Sequence, residues 1–343
     1  MDEIEENNSR RPKDSKFKQQ RLPAWQPILT AQVATIFFLV VFVLFIILGA
    51  VLLVASDSVR EKVLEYTHCR STEDQEKSCA QILEENVTVT CSCRLMFELD
   101  DDIEQQVYLY YGLSNFYQNH RRYVRSRDDG QLRGDLSQSV SSDCKPYDKG
   151  VDRSDNETKA FAPCGTIANS LFNDTFDLYY TPENQNRTKV PKTYENIAWK
   201  SDRETKFQNP ENWDEFKSFL KPPNWRKPVD KLDKDPKNNG FKNQDFIVWM
   251  RTAAFPKFRK PYRKVIHEDK FQDGLPKGKY ELRIKYNFPV TSFDGEKRFI
   301  ISNTSWLGGK NPFLGIAYLV VGSISGVMSG VFFYIHLKVK PNR

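Results

Sequence analysis

Histidine is scarce, four in 343 residues, and His68, His120, His267 and His336 offer no pair at the helical spacing that places two imidazoles on one face. No G-x-S-x-G stretch and no Walker-type phosphate loop occurs, so neither a nucleophile elbow nor a P-loop is signposted. No carboxylate pair stands out as catalytic. Charge is missing from two places. In a chain with 28% Asp, Glu, Lys and Arg, residues 31–55 and 311–337 have none. Cysteine is confined to the stretch between the two gaps, where all six lie.

The first gap (AQVATIFFLVVFVLFIILGAVLLVA) carries Gln32 as its only strongly polar side chain. As a helix it is about 37 Å long, enough to cross a hydrocarbon core of about 30 Å. A cleaved signal peptide has a shorter apolar region nearer the N-terminus, which argues for an anchor. The second (NPFLGIAYLVVGSISGVMSGVFFYIHL) reads as another span. The division is a tail over residues 1–27, a first transmembrane helix over 28–55, a connecting domain over 56–311, a second transmembrane helix over 312–337 and a tail over 338–343.

Basic residues beside a span stay cytosolic. Arg10, Arg11, Lys13, Lys16, Lys18 and Arg21 precede the first span, and Lys338, Lys340 and Arg343 follow the second. Both tails are therefore expected in the cytosol and the connecting domain outside it. The net charge of +6 divides as +1, +2 and +3 over N-terminal tail, central domain and C-terminal tail, which gives no nucleic-acid footprint. Residues 1–21 lack apolar periodicity and read as disordered. In LPAWQP (22–27), Pro23 and Pro27 disfavour helix before the span and Trp25 suits the headgroup level, as an interfacial anchor or a stiff docking segment.

Alternation of period two marks strands in the central domain at 87–99 and 280–290, with further candidates at 106–111 and 298–303. One polar and one apolar face per strand is the pattern of an antiparallel sheet covered on one side. Residues 126–158 and 181–196 are polar and read as surface loops. A short helix capped by Asn212 is expected over 213–220, and the apolar run 246–250 is undecided between helix and strand.

An even number of cysteines outside the cytosol reads as disulfides. Cys91 and Cys93 share a strand face, which makes Cys69 and Cys79 their partners, nested or crossed, and leaves Cys144 with Cys164. Closing such loops is worth about 3 kcal/mol each in the chain-entropy model. The competing reading is a zinc site from Cys69, Cys79, Cys91 and Cys93, whose spacing fits poorly. Acceptor sequons stand at Asn86, Asn156, Asn173, Asn186 and Asn303, with Asn303 the least favoured because it adjoins the second span. Asn7 fits the pattern but lies in the cytosolic tail.

Gly322, Gly326 and Gly330 recur every fourth residue of the second span and form a face that another helix backbone can approach, with the first span or another protein as its partner. The basic run 120–127 (HRRYVRSR) reads as a solvated face or as an anion or lipid-headgroup contact, since the topology keeps it from nucleic acid. DKDPKNNG (233–240) fails as a calcium loop because Lys237 and Phe246 fall at ligand positions.

Particular stretches are similar to a known family. KFKQQRLPAWQPILTA (16–31), YYGLSNFYQNHRRYVRSRDDGQL (110–132), APCGTIANSLFNDT (162–175), NNGFKNQDFIVWMRTAAFP (238–256) and GGKNPFLGIAY (308–318) closely resemble the cell cycle control protein 50 family, also called transmembrane protein 30. The resemblance covers nearly the whole chain. It implies a non-catalytic β-subunit of a type IV P-type ATPase α-subunit that flips phospholipids to the cytosolic leaflet, with residence in endoplasmic reticulum, Golgi, endosomal and plasma membranes. No enzyme activity, cofactor or metal is implied, and membrane lipids are the other partner. It also implies an antiparallel β-sandwich-like ectodomain, disulfide-bonded and glycosylated, with long loops and bridges Cys69–Cys93, Cys79–Cys91 and Cys144–Cys164.

The sequence holds no D-K-T-G-T stretch for an aspartyl phosphate, so the chain is not itself such an ATPase. The family reading makes Gly322, Gly326 and Gly330, with Pro23, Trp25 and Pro27 of the tail, the expected partner contacts. The competing class is an adhesion or receptor ectodomain on two anchors, and a lumenal enzyme ranks third for want of a catalytic constellation.

Overall fold

The computed structural model describes residues 14–24, 30–136, 139–182 and 186–339. The chain divides into two compact units, residues 55–311 and the two terminal portions together.

The terminal unit is built on two helices, α1 (Ala31–Asp57) and, at the other end of the chain, α7 (Phe313–Lys338). Both are long and apolar enough to cross a membrane, and the chain is a membrane protein. Upstream, residues 15–20 form a turn closed by the Gln19 amide on the Ser15 carbonyl at 2.9 Å. Trp25 and Pro27 lie outside the described residues.

The larger unit is β-rich. Its strands are β1 (Glu61–Glu65), β2 (Cys91–Leu99), β3 (Ile103–Glu104), β4 (Tyr108–Leu113), β5 (Lys149–Val151), β6 (Thr158–Ala160), β7 (Thr175–Thr181), β8 (Thr188–Lys189), β9 (Lys192–Thr193), β10 (Phe258–Val265), β11 (Gly274–Leu275), β12 (Gly278–Tyr286) and β13 (Lys297–Ser302). The helices between them are short: α2 (Cys79–Glu85), α3 (Arg121–Arg125), α4 (Asp129–Leu132), α5 (Thr166–Asn169) and α6 (Gln244–Met250).

Two antiparallel sheets carry the fold, a five-stranded one in the order β1-β13-β4-β10-β9 and a four-stranded one in the order β2-β12-β7-β8. Their apolar faces meet, as alternation requires of a sandwich. Leu109, Tyr111, Leu113, Phe299 and Ile301 from the first sheet are buried, as are Phe176, Leu178, Leu282, Ile284 and Tyr286 from the second. Phe176 touches Phe299 at 4.8 Å between centroids and Tyr262 edge-on at 5.1 Å. Offset and edge-to-face rings add specificity beyond the area they bury.

Strand limits differ from the alternation for identifiable reasons. The strand expected from Val87 begins at Cys91, because the Asn86 side chain accepts from the Thr88 amide at 3.0 Å and turns the chain. The strand expected to run to Val290 stops at Tyr286, since the amides of Asn287 and Phe288 turn inward to Asp174 Oδ1 at 2.6 and 2.7 Å. The third candidate is shifted to Tyr108–Leu113; Gln105 before it has φ of 65° and Gln106 donates to the Val265 carbonyl.

The polar stretch 126–158 is partly interior, with Gln131, Leu132, Leu136 and Cys144 buried. Residues 213–218 form a 3-10 helix with Asn212 accepting from the Asp214 amide. The undecided run 246–250 is helical. Asn243 caps it by accepting from the Phe246 amide at 3.0 Å, and Lys260 closes its other end by donating to the carbonyls of Val248, Trp249 and Arg251. A cation there meets the negative end of the helix dipole.

Candidate functional site

The described residues offer surfaces, and the framework that holds them, as candidate functional features. The helix pair is the first. Along α7, a Cβ placed on Gly315 would lie 2.6 Å from Leu53, one on Gly322 3.1 Å from Phe45, and one on Gly326 2.8 Å from Phe42. From α1, a Cβ on Gly49 would lie 2.8 Å from Leu319. The helices therefore run antiparallel, backbone close to side chain, as small residues permit in a bilayer. Ser329 Oγ donates to the Thr35 carbonyl at 3.0 Å, and Phe45 meets Tyr318 edge-on at 4.9 Å.

Gly330 departs from this seam. Nothing approaches a Cβ placed there within 4 Å. It opens instead into a notch of about 620 Å³ lined by Leu39, Phe42, Gly326, Val327 and Phe333. The three glycines in register thus divide: Gly322 and Gly326 receive α1, while Gly330 presents bare backbone outward.

The ectodomain framework is cross-linked at Cys69–Cys93, Cys79–Cys91 and Cys144–Cys164. The first two bridges are nested and tie α2 and the segment before it to β2. Cys69, Cys79 and Cys93 carry their sulfurs within 4.8 Å of one another, but each is oxidised in a bridge, so the four-thiolate zinc reading falls. The 233–240 loop is closed on itself as well: Asn238 donates to Asp233 and Asn239 to the Asp230 carbonyl.

At the centre of the sandwich Lys297 of β13 meets Asp174, which precedes β7, at 2.7 Å, with both side chains wholly inaccessible. Tyr66 donates to the same carboxylate at 2.8 Å, and the ammonium also reaches the Phe288 carbonyl at 2.6 Å. Burial pushes the Lys297 pKa down, to about 8, against the pull of Asp174. The same burial, reinforced by Asp174, pushes the Tyr66 hydroxyl well up. Alternation marked 298–303 as a strand; the observed strand is Lys297–Ser302, so the sequence reading began one residue past the lysine, and no signal disclosed that it would point inward.

The sequon asparagines separate by exposure. Asn86, Asn156 and Asn186 are exposed and Asn173 is half-buried. Asn303 is 6% exposed; its Oδ1 accepts from the Arg60 amide at 2.8 Å and its Nδ2 donates to the Glu104 carbonyl at 3.0 Å. Asn303, the least favoured of the five sequons, ties β13 to the segment before β1 through these two bonds. The basic run contains α3 and is solvated, with Arg121 and Arg122 exposed. Pro23 is exposed upstream of α1.

Residues 52–343 match the model of the LEM3 (ligand-effect modulator 3) family / CDC50 family. The chain belongs to that family. Among relatives of the LEM3/CDC50 chain, cell cycle control protein 50A of Bos taurus is 49% identical, over 97% of this chain and 91% of its own length. Cell cycle control protein 50B of Homo sapiens is 43% identical, over 95% and 94%. The Arabidopsis thaliana protein named ALA-interacting subunit 3 is 42% identical, over 98% and 89%. The resemblance read from five sequence stretches is thereby shown along nearly the whole chain.

Proposed function

We propose that this chain is the non-catalytic accessory subunit of a type IV P-type ATPase that moves phospholipid to the cytosolic leaflet. The observation that carries the reading is the near-full-length similarity to a plant relative named as an interacting subunit. The sequence agrees, since it lacks a phosphorylatable D-K-T-G-T aspartate and cannot drive transport alone. Its work is then assembly. By binding the native form of the large subunit it stabilises that form through mass action and favours its folding and exit from the endoplasmic reticulum.

In this arrangement residues 1–27 and 338–343 lie in the cytosol and residues 56–311 lie in the lumen or outside the cell, with glycans at Asn86, Asn156, Asn173 and Asn186. The notch at Gly330 receives a helix of the large subunit, while Pro23, Trp25 and Pro27 dock on its cytosolic side. Gly322 and Gly326 act indirectly, by holding α1 and α7 together beside the notch. The pair serves Golgi, endosomal and plasma membranes. Deleting the chain from cells is expected to leave the large subunit in the endoplasmic reticulum; normal delivery and flipping without it would overturn the assignment.

A further inference from the structure

The face of the four-stranded sheet that points away from the core carries an arrangement the assembly role does not use. Side chains alternate along β12, so Glu281, Arg283 and Lys285 project outward while Leu282 and Ile284 project inward. The register sets Arg283 directly opposite Arg94 of β2, and Lys285 opposite Ser92 on one side and Thr175 of β7 on the other. Like charges directly opposite one another on neighbouring strands oppose pairing. A sheet that retains them needs a compensating group.

The carboxylates nearby are already engaged. Asp177, opposite Arg283 on β7, is held by Lys189 at 2.9 Å and Lys192 at 2.7 Å. Glu281 is buried under Arg187 and bonds Arg283 Nε at 2.8 Å. Arg283 is also drawn over the ring of Tyr179, 4.4 Å from its centroid. Among the described residues Arg94 and Lys285 have no carboxylate within ion-pair reach. Between them is a cleft of about 450 Å³ whose lining includes Arg94, Arg283, Lys285, Thr72 and Thr175. Thr72 is fixed at the wall, donating from its amide and its hydroxyl to the Ser92 carbonyl at 2.8 and 3.0 Å.

We propose that this cleft binds one tetrahedral oxyanion, a sulfate or phosphate monoester or the free ion, between Arg94, Arg283 and Lys285, with the Thr175 hydroxyl as a further donor. A guanidinium presents two parallel N–H groups to such an anion and an ammonium meets a third oxygen as a point charge. Positive charge is concentrated at this end of the face. Toward the other end, Glu98 stands opposite Lys279 and Glu281 opposite Met96, which suits a single anionic group rather than a long polyanion track. Arg94, Arg283 and Lys285 are all exposed, so the cleft is open to ligand.

The test uses the full chain in detergent, melted by tryptophan fluorescence at constant ionic strength. Sodium sulfate and glucosamine 6-sulfate are titrated against sodium chloride. The expected result is a saturable rise in Tm with sulfate that chloride does not produce. In Arg94→Gln the anion-free Tm is expected to equal or exceed that of the unaltered chain, because the opposed charge is gone, and the sulfate midpoint to weaken roughly tenfold, the order expected for losing a hydrogen bond from a charged donor. Lys285→Gln should weaken it similarly, while Arg94→Lys keeps part of the response. A lower midpoint for glucosamine 6-sulfate than for sulfate identifies a sugar-borne ester; an equal or higher one identifies the free ion. A rise no larger than with chloride, or one unchanged in Arg94→Gln, overturns the proposal.

Discussion

Lys297 and Asp174 place two charges where water does not reach, and their behaviour follows from that burial. A buried ion pair adds little net stability, yet removing one member strands the other and costs about 3–5 kcal/mol. Lys297→Met is therefore expected to destabilise the chain by that order in chemical denaturation. Adding Asp174→Asn should recover part of the loss, since the amide oxygen still accepts from the Asn287 and Phe288 amides without carrying charge. The pH dependence has a definite sign. The folded chain releases the Lys297 proton near pH 8, whereas the unfolded chain holds it to about 10.4. Within that window the unfolded state binds more protons, so this group makes stability rise with pH. Buried tyrosines such as Tyr66 act oppositely above pH 10, because their raised pKa keeps the proton on the folded form. A melting profile should thus climb from pH 8, turn over above 10, and climb less in Lys297→Met. Asn303 supplies a second residue-scale outcome. Asn303→Gln should leave the glycosidase-sensitive mobility ladder unchanged while lowering Tm, whereas Asn86→Gln removes one step of the ladder.

At the scale of elements, the seam between α1 and α7 separates two kinds of glycine. Gly326 is covered by Phe42, so a leucine there must displace a ring, while Gly330 faces open space. Gly330→Leu is expected to fill the notch and weaken capture of the large subunit without changing the ectodomain's melting. Gly326→Leu should also disturb the helix pair, read as lost protection of α1 in hydrogen exchange. Retained capture by Gly330→Leu would place the contact elsewhere. The spans were legible because the absence of charge over about 25 residues has few other causes. The central strands were legible because the sandwich covers one face of each, leaving period two in the sequence. Their ends were not, since those depend on Asn86 turning the chain locally and on Asp174 recruiting amides from a segment 113 residues away. Helix α6 was ambiguous for a related reason: its run 246–250 is apolar all round, with Phe246, Ile247, Val248, Trp249 and Met250 all buried, and its C-terminal stop is a lysine ten residues beyond it in sequence.

For the whole molecule, a chain that carries a β-sandwich between two apolar helices in sequence is consistent with the proposed role of a partner subunit. The glycine repeat was legible in the sequence, but its division was not, and Trp25 and Pro27 of the LPAWQP approach lie outside the described residues. Which glycine meets α1 and which stays bare depends on the crossing of two helices 255 residues apart in sequence. The central claim is that this chain assembles with a P-type ATPase. Affinity capture of the tagged full chain from gentle detergent, followed by mass spectrometry of the co-purifying membrane proteins, tests it most directly. A type IV P-type ATPase in near-equimolar amount is the expected result; capture that repeatedly contains no P-type ATPase would overturn the assembly role.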